Sequence, residues 1–364
     1  MTVLSLFDAK TRYRLLWVAL GTGAMILARI CADRPDLAEQ FYGHGLFRIV
    51  RHAYDYTLGW LPWPSVWLIM LLALWRLWRT ALRPLIRRRV SLRSCLLGVL
   101  STAGAVVFLF YFLWGFNYSR ADVAARLDLD ARPLDAEELR AEFGRATTDL
   151  RALLAEHDAE ISASLDVLPA GLEARVRTLT EQTASQLGFP AYGRVRGRLL
   201  APRGILLVFN TAGVYVPFSG EGHVDAGMLP MQIPFTMSHE MSHALGVTDE
   251  GDCNFLAYLS CTTADDPMIR YSGMLSYWRY AASEYRRWFP DDYAEVYETL
   301  PATMRTSLAA IRANLDKYPE FMPRLRNKVY DSYLKSHGVH EGLRSYSRIV
   351  RMVRAHREAN GPAD

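Results

Sequence analysis

The sequence predicts a mainly α-helical chain in which three N-terminal transmembrane helices precede an α+β domain with a small sheet. The first 118 residues contain three long apolar runs, and a cluster of arginines lies between the second and the third. Helix signals fill most of residues 119–364 around one β-rich stretch. Because 364 residues are enough for two units, we expect a membrane anchor over residues 1–118 and a folded domain over residues 119–364.

The apolar runs lie at about residues 15–31, 62–78 and 94–114. Each run is long enough to cross a bilayer with little tilt. Ile30 and Ala32 make a poor signal-peptidase site, so we expect the first run to be retained in the protein. The second run carries tryptophan at both ends, which is typical of residues at the bilayer interface.

Basic residues indicate the orientation of these spans. Between residues 76 and 93 the chain has arginines and no acidic residue: Arg76, Arg79, Arg83, Arg87, Arg88, Arg89 and Arg93. By the positive-inside rule this loop is cytoplasmic, so the N-terminus is also inside and the chain after Tyr118 lies outside. We therefore expect a multi-pass protein of the cytoplasmic membrane with an extracytoplasmic C-terminal domain. The net charge of only +4, concentrated in this loop, argues against a nucleic-acid partner.

Capping signals predict two amphipathic helices at the start of the C-terminal domain. Asp135 and Glu138 form a capping box that begins a helix extending to about Glu156. We expect a second helix from about Gly171 to Leu187, because Gly188 and Pro190 follow it.

A β-rich stretch follows these helices. Residues 204–218 are rich in β-branched and aromatic residues and are interrupted at Asn210–Gly213, which predicts two short strands. Pro217 would place the second strand at a sheet edge. Such an edge could pair with an extended peptide, or the strands could simply cover the helices, and both interpretations stay open. We expect a loop over residues 219–234.

The motif His239-Glu240-Met241-Ser242-His243 carries most of the functional information. It lies on a predicted helix that begins near Phe235 and ends at Gly246. Residues four apart share one helix face, so His239 and His243 can bind the same metal ion, and this spacing is typical of zinc sites. Glu240 can then take a proton from an activated water molecule.

A catalytic zinc site needs a third protein ligand, and three carboxylates follow the motif closely. Asp249 completes an HExxHxxGxxD spacing, whereas Glu250 begins a second predicted helix that carries Asn254 one turn later. We favour Glu250 as the third ligand, with Asp249 and then Asp252 as alternatives. Asn254 could orient a ligand through a hydrogen bond. Acids at this position can also simply stabilise the start of a helix.

Several segments resemble an uncharacterised bacterial family of membrane-anchored, zincin-like proteins whose domain has no assigned function. The resemblance covers most of the chain, in order, and rests on these segments: Trp114–Tyr118, Gly213–Phe218 with Glu221, Pro234–Thr236, Glu250, Asn254–Tyr258 and Tyr330–Lys335 with Gly338, Gly342 and Tyr346. It implies an extracytoplasmic zincin-like domain with a gluzincin-type site, and it implies no substrate.

The chain departs from the pattern of this family next to the third ligand. Members carry Glu-Asp-Glu-Ala-Asn where this chain has Glu250–Asn254, and a basic residue where it has Asp249. The first acid and the asparagine match, so the resemblance supports Glu250 and makes Asp249 incidental.

The function expected from these residues is that of a zinc-dependent metalloendopeptidase at the outer face of the membrane. Its partners would be a protein or peptide substrate and the lipid bilayer; the oligomeric state is not indicated. Oxyanion stabilisation needs a further donor, for which the following side chains are possible: Tyr333, Tyr346, His337, His340 and His223. The alternative is a catalytically inactive zinc-binding scaffold or an interaction domain of the cell envelope.

Overall fold

The structure, a computed structural model, describes residues 8–86, 91–324, 328, 332 and 348–361. Its architecture is mainly helical with one small sheet, as the sequence predicts. The chain divides into two compact units. Unit 1 contains Met1–Ala121 together with Val216–Gly220, and unit 2 contains Asp122–Tyr215 and Glu221–Asp364.

Unit 1 consists of helices. Its α-helices are α1 (Ala9–Ala32), α2 (Pro35–Leu37), α3 (Phe47–Tyr56), α4 (Val66–Leu77), α5 (Arg83–Ile86) and α6 (Leu92–Leu113). Two π-helical segments, Ala38–Leu46 and Trp78–Leu82, connect some of them, and 3-10 turns lie at Leu58–Trp60 and Gly115–Ser119.

In the described part of the chain, two helices are long and apolar enough to cross a membrane, α1 and α6. They pack side by side and run parallel. Near their starts, Arg14 Nη1 donates hydrogen bonds to the backbone oxygen and to Oγ of Ser94, at 2.8 and 2.9 Å. In the middle, the helices approach so closely that a Cβ on Gly21 would lie 2.5 Å from the backbone oxygen of Gly104. Such glycine contacts are common between membrane helices.

The span expected at residues 62–78 is not one of these helices, so among the described residues two of the three expected spans are long and apolar enough to cross a membrane. Prolines at positions 62 and 64 delay the helix, so α4 begins only at Val66. From Val66 to Trp75 the chain has ten residues before Arg76, and ten helical residues rise only about 15 Å against a hydrocarbon core of roughly 30 Å.

Unit 2 contains the remaining elements. Its helices are α7 (Val123–Arg126), α8 (Ala136–Ser164), α9 (Leu172–Gln186), α10 (Ile233–Ala244), α11 (Glu250–Thr262), α12 (Pro267–Trp288), α13 (Pro290–Glu298), α14 (Ala302–Asp316) and α15 (Arg348–Ala359). Its strands are β1 (Gly197–Leu200), β2 (Gly213–Val216) and β3 (Glu221–Asp225), and 3-10 turns lie at Leu207–Phe209 and Pro230–Gln232.

The first two long helices begin where their capping signals place them. The capping box of Asp135 and Glu138 is formed at the start of α8. The helix was expected to end near Glu156; it continues to Ser164, with non-helical backbone angles at His157. The second expected helix is α9, which follows Gly171 directly.

The sheet differs from its prediction in two of its three strands. The strand expected at the start of residues 204–218 is wrong, because the backbone N–H groups of Gly204, Leu206 and Leu207 donate to the Asp225 carboxylate and not to a neighbouring strand. Strand β1 lies earlier, and β3 occupies part of the expected loop 219–234.

The strand order is β1-β3-β2, with β1 parallel to β3 and Gly197 opposite Gly222. Strand β2 is therefore an edge strand, as Pro217 directly after it predicted. The central strand, β3, is buried along its whole length. Helix α10 packs on β3 and against α9, α11 and α12, so this helix lies in the core of unit 2.

Candidate metal centre

Helix α10 carries the two histidines of the motif in a buried position. Pro234 occupies the first turn of the helix, where its missing N–H costs nothing. Gly246, with a φ of 93°, follows the last turn and reverses the chain toward α11. His239 and His243 lie on one face, with ring centroids 4.9 Å apart.

The start of α11 places Glu250 against both histidines. The Asp249 side chain caps this helix by accepting from the N–H groups of Gly251 and Asp252, so Glu250 occupies its first turn. Glu250 Oε2 lies 3.1 Å from His239 Nε2 and 3.6 Å from His243 Nε2. All three side chains are buried, and among the described residues they form the group that could hold a metal ion.

The other ring nitrogen of each histidine determines which atom carries the hydrogen. His239 Nδ1 lies 2.8 Å from Asn254 Oδ1, and His243 Nδ1 lies 2.9 Å from the backbone oxygen of Val247. Both partners are acceptors, so each Nδ1 carries the hydrogen and each neutral ring has a lone pair at Nε2. The two lone pairs and the Glu250 carboxylate therefore converge on one point, an arrangement that needs a cation or an extra proton.

The charges of the group reflect this need. Burial opposes the charged form of His243, yet the neighbouring Cys253 and Glu250 raise the His243 pKa well above its ordinary value. Burial also opposes the charged form of Glu250, but His243 and His239 hold its pKa well below the ordinary value. The group thus favours a carboxylate with positive charge beside it.

The two alternative acids have other partners. Asp249 is the cap of α11, and its carboxylate also lies 3.5 Å from Arg348. Asp252 Oδ2 accepts from the N–H of Val123, and its Oδ1 lies 3.8 Å from Arg348. Burial and the nearby Asp249 raise the Asp252 pKa to about 8. Neither acid belongs to the group formed by His239, His243 and Glu250.

Glu240 lies on the neighbouring face of α10, below the glycines of two strands. A Cβ on Gly213 of β2 would lie 2.5 Å from Glu240 Oε1, and one on Gly222 of β3 would lie 2.6 Å from Glu240 Cβ. Glu240 is only 4% exposed, and in the described part of the chain its Oε2 has no hydrogen-bond partner. Burial raises the Glu240 pKa to about 7.

A family model described as "Protein of unknown function (DUF3810)" matches residues 42–353. The chain belongs to this family. The match confirms the family of unknown function expected from the sequence, and it includes the motif on α10 and the start of α11. No curated protein and no solved structure matches the chain significantly.

The donor set of this DUF3810 protein fits zinc. Two imidazoles and a carboxylate are typical zinc ligands, and zinc with bonds of about 2.0–2.1 Å separates tetrahedral ligand atoms by about 3.4 Å. The two separations from Glu250 Oε2, 3.1 and 3.6 Å, lie on either side of that value, and the three ligand atoms all lie within 4.8 Å of one another.

Of the expected oxyanion donors, only His223 lies in the described part of the chain; Tyr333, Tyr346, His337 and His340 lie outside it. Successive residues of a strand point to opposite faces, and Gly222 faces Glu240, so His223 points away from the site.

Two tyrosines near the site are not among the site residues expected from the sequence. Tyr215 on β2 places its ring centroid 6.4 Å from that of His243, because it shares a strand face with Gly213. Tyr280 on α12 donates to Asn254 Oδ1 at 3.4 Å. Tyr215 lies in the segment Gly213–Phe218 on which the family resemblance rests, but nothing in that segment indicates a place beside the histidines. The packing of distant elements brings both tyrosines here.

Proposed function

We propose that this protein is a membrane-anchored, zinc-dependent metallopeptidase that hydrolyses peptide bonds at the outer face of the cytoplasmic membrane. One observation carries the proposal: the lone pairs of His239 and His243 converge with the Glu250 carboxylate, while fixed acceptors orient both rings from behind. This is how metal-binding histidines are held in proteins. A histidine pair built only for packing would not need two lone pairs that face an acid.

His239, His243 and Glu250 would hold the zinc ion. Zinc would supply the Lewis acidity that polarises a peptide carbonyl and activates a water molecule. Asn254 fixes the ring of His239 and the Val247 carbonyl fixes that of His243, so the chain provides a rigid ligand set.

Glu240 would act as the general base. Its Oε2 has no partner in the described residues, so this oxygen is available to accept the proton of the attacking water and to return it to the leaving amine. The absence of side chains at Gly213 and Gly222 leaves room for the Glu240 side chain below the strands.

The edge strand β2 would bind the substrate. Its position at the sheet edge leaves one side open to an extended peptide, which pairs by main-chain hydrogen bonds. Gly213 on the same strand lies against Glu240, so a peptide paired with β2 would present its main chain beside the general base.

The packing of α1 and α6 supports the membrane topology. Two parallel helices that both cross a bilayer begin on the same side, so the chain between residues 33 and 91 must cross once more in the opposite direction. Helix α4 and the helical residues that follow it to Ile86 are the segment available for this crossing. The short apolar length of α4 makes this crossing the least stable of the three.

The charge distribution then gives the orientation. Lys10, Arg12 and Arg14 at the start of α1 lie at the same end as Arg93 at the start of α6. By the positive-inside rule this end is cytoplasmic, and residue 119 follows α6 on the outer side. A reporter enzyme that is active only outside the cytoplasm, fused after Arg120, should be active; activity of a cytoplasm-only reporter at this position would contradict the topology.

Metal analysis and hydrolysis together test the proposed reaction. We expect the purified full chain to bind about one zinc ion, His239→Ala to lose it, and Glu240→Gln to keep it. Cleavage of a quenched fluorescent peptide library should fall by about 10²–10⁴-fold in Glu240→Gln. Zinc binding with no hydrolysis by the wild type would favour the inactive scaffold. If neither the wild type nor Glu240→Gln binds zinc, the metal hypothesis is wrong.

A further inference from the structure

The turn that joins β2 to β3 receives two hydrogen bonds from α3. Residues Pro217–Gly220 form this turn and belong to unit 1, as does α3. Arg51 Nη1 donates to the backbone oxygen of Gly220 at 2.8 Å. The Tyr54 hydroxyl donates to the backbone oxygen of Pro217. Tyr54 therefore holds the first residue of the turn, and Arg51 holds the last.

The contact is built into the packing of unit 1. Arg51 is only 1% exposed, and a buried guanidinium is costly unless its hydrogen bonds are specific. Its charged group also lies 5.6 Å from the centroid of the Tyr54 ring. Gly220 has a φ of 68°, and a Cβ at this position would overlap the Tyr54 ring, so the close approach requires glycine.

The amphipathic pattern of α3 explains why these two residues reach the turn. Positions three and four apart share a helix face, and the residues on this face of α3 are all buried: Phe47, Val50, Arg51 and Tyr54. Ile49 and Tyr56 on the opposite side are 66% and 78% exposed. The helix thus presents one donor-bearing face to the turn.

The turn is covalently continuous with the residues that border the candidate site. Tyr215, two positions before the turn, places its ring beside His243. Gly222, two positions after the turn, lies against Glu240. We propose that Arg51 and Tyr54 are positioning residues: they hold both ends of the β2–β3 turn and thereby order the two strands that the turn joins. The catalytic consequence of this role rests on the proposed peptidase function; the structural role does not.

Amide hydrogen exchange of the full chain in detergent micelles tests the structural role directly. The exchange rates of residues 213–225 are compared with those of α10 in the wild type and in three variants. Arg51→Met removes the donor but keeps a long side chain. Tyr54→Phe removes one oxygen atom, and Tyr56→Phe makes the same chemical change two residues away on an exposed side chain.

We expect exchange in residues 213–225 to be about tenfold faster or more in Arg51→Met, because a hydrogen bond from a charged donor is worth at least this factor. Tyr54→Phe should accelerate it about fivefold, while Tyr56→Phe leaves it unchanged. Exchange in α10 and the zinc content should not change. The proposal would be overturned if exchange in residues 213–225 were unchanged in Tyr54→Phe, or if exchange were accelerated equally throughout unit 2. If Arg51→Met does not fold, Tyr54→Phe alone still tests the proposal.

Hydrolysis measured on the same proteins tests the catalytic consequence. Because β2 would hold the substrate, we expect KM to rise in both variants more than kcat falls. If exchange responds as expected but no protein hydrolyses peptides, the proposed function fails and the positioning of the turn stands. If the wild type hydrolyses peptides and KM is unchanged in both variants, the positioning role in catalysis is wrong.

Discussion

The α10–α11 helix pair, which carries Glu240, and the β2–β3 hairpin, which packs against Glu240, are held together in different ways. In the helix pair, His243 is oriented by a residue four positions away and His239 by one fifteen positions away. In the hairpin, Asp225 binds backbone groups up to 21 residues away, and the turn is held by Arg51, 169 residues earlier.

Because of this difference, the proposed metal binding and the proposed substrate positioning depend on different kinds of contact. The proposed metal ligands depend on short-range contacts, which form at low entropic cost and survive changes elsewhere. The strands above Glu240 depend on partners from distant segments, so they can be displaced while the ligands stay intact. Metal binding and substrate positioning should therefore be separable by mutation.

The largest effect should follow from a side chain added to the hairpin. In Gly222→Ala the new Cβ would lie 2.6 Å from Glu240 Cβ and 2.9 Å from the backbone carbon of the same residue, which α10 holds in place. We expect a loss of about 3 kcal/mol in the free energy of unfolding, seen as a lower thermal midpoint, and a loss of hydrolysis.

The zinc content of this variant shows whether the helix pair depends on the hairpin. If the helix pair is independent of the hairpin, folded Gly222→Ala keeps about one zinc ion per chain. Gly144→Ala is the matched control, because a Cβ at this helical position meets no atom within 4 Å; it should raise stability by about 1 kcal/mol. Loss of zinc from folded Gly222→Ala would show that the two structures are coupled.

The same difference explains what the sequence could predict. His239, Glu240 and His243 share one helix with fixed spacing, and Asp249 is a typical helix cap, so local rules locate the motif and the start of α11. The strand at residues 197–200 and the irregular backbone at residues 204–207 depend on β3 and its Asp225, which no local pattern reveals.

The orientation of the two rings at the candidate metal site also could not be predicted from local sequence. Spacing indicates that the histidines share a face, but the hydrogen-bond partners at Val247 and Asn254 determine which nitrogen faces Glu250. Tyr215 and Tyr280 were not expected at the site, since long-range packing rather than a local spacing brings each of them there.

A smaller effect should follow from a change behind the metal ligands. Asn254→Ala removes the acceptor that orients His239, and the loss of such a partner lowers metal affinity by about 10–100-fold. Competition with a fluorescent zinc chelator measures this change. Tyr280→Phe, which removes only a 3.4 Å hydrogen bond to the same oxygen, should stay within about threefold of the wild type. Equal losses in the two variants would mean that Tyr280, rather than Asn254 alone, positions His239.

The free energy of unfolding should depend on pH through a buried histidine of the hairpin. His223 on β3 is fully buried, and among the described residues neither ring nitrogen has a hydrogen-bond partner. Burial lowers its pKa to about 4, although Glu221 opposes the shift and Arg198 adds to it. The unfolded chain binds a proton at this side chain below about pH 6.5, whereas the folded chain binds it only below about pH 4.

Stability should therefore fall as the pH decreases through this window. Between pH 7 and pH 5 the His223 contribution amounts to a loss of about 2 kcal/mol. Chemical unfolding of zinc-free wild type and His223→Gln at both pH values measures it, because the glutamine does not titrate. The same pH dependence in both proteins would show that His223 gains a partner when it is protonated.

The smallest effect should come from Cys253, which touches the metal group without orienting it. Its Sγ lies 3.3 Å from His243 Nδ1, but the Val247 carbonyl accepts from the same nitrogen at 2.9 Å, and a side-chain substitution leaves this carbonyl in place. Burial raises the Cys253 pKa to about 12, and the thiol lies at Nδ1 of His243, on the far side of the ring from the Nε2 atom that faces Glu250. We expect Cys253→Ala to keep zinc affinity within about threefold of the wild type in the same chelator competition. A tenfold loss would mean that one backbone carbonyl is not enough to hold His243, and that the helix pair also depends on side-chain packing around its ligands.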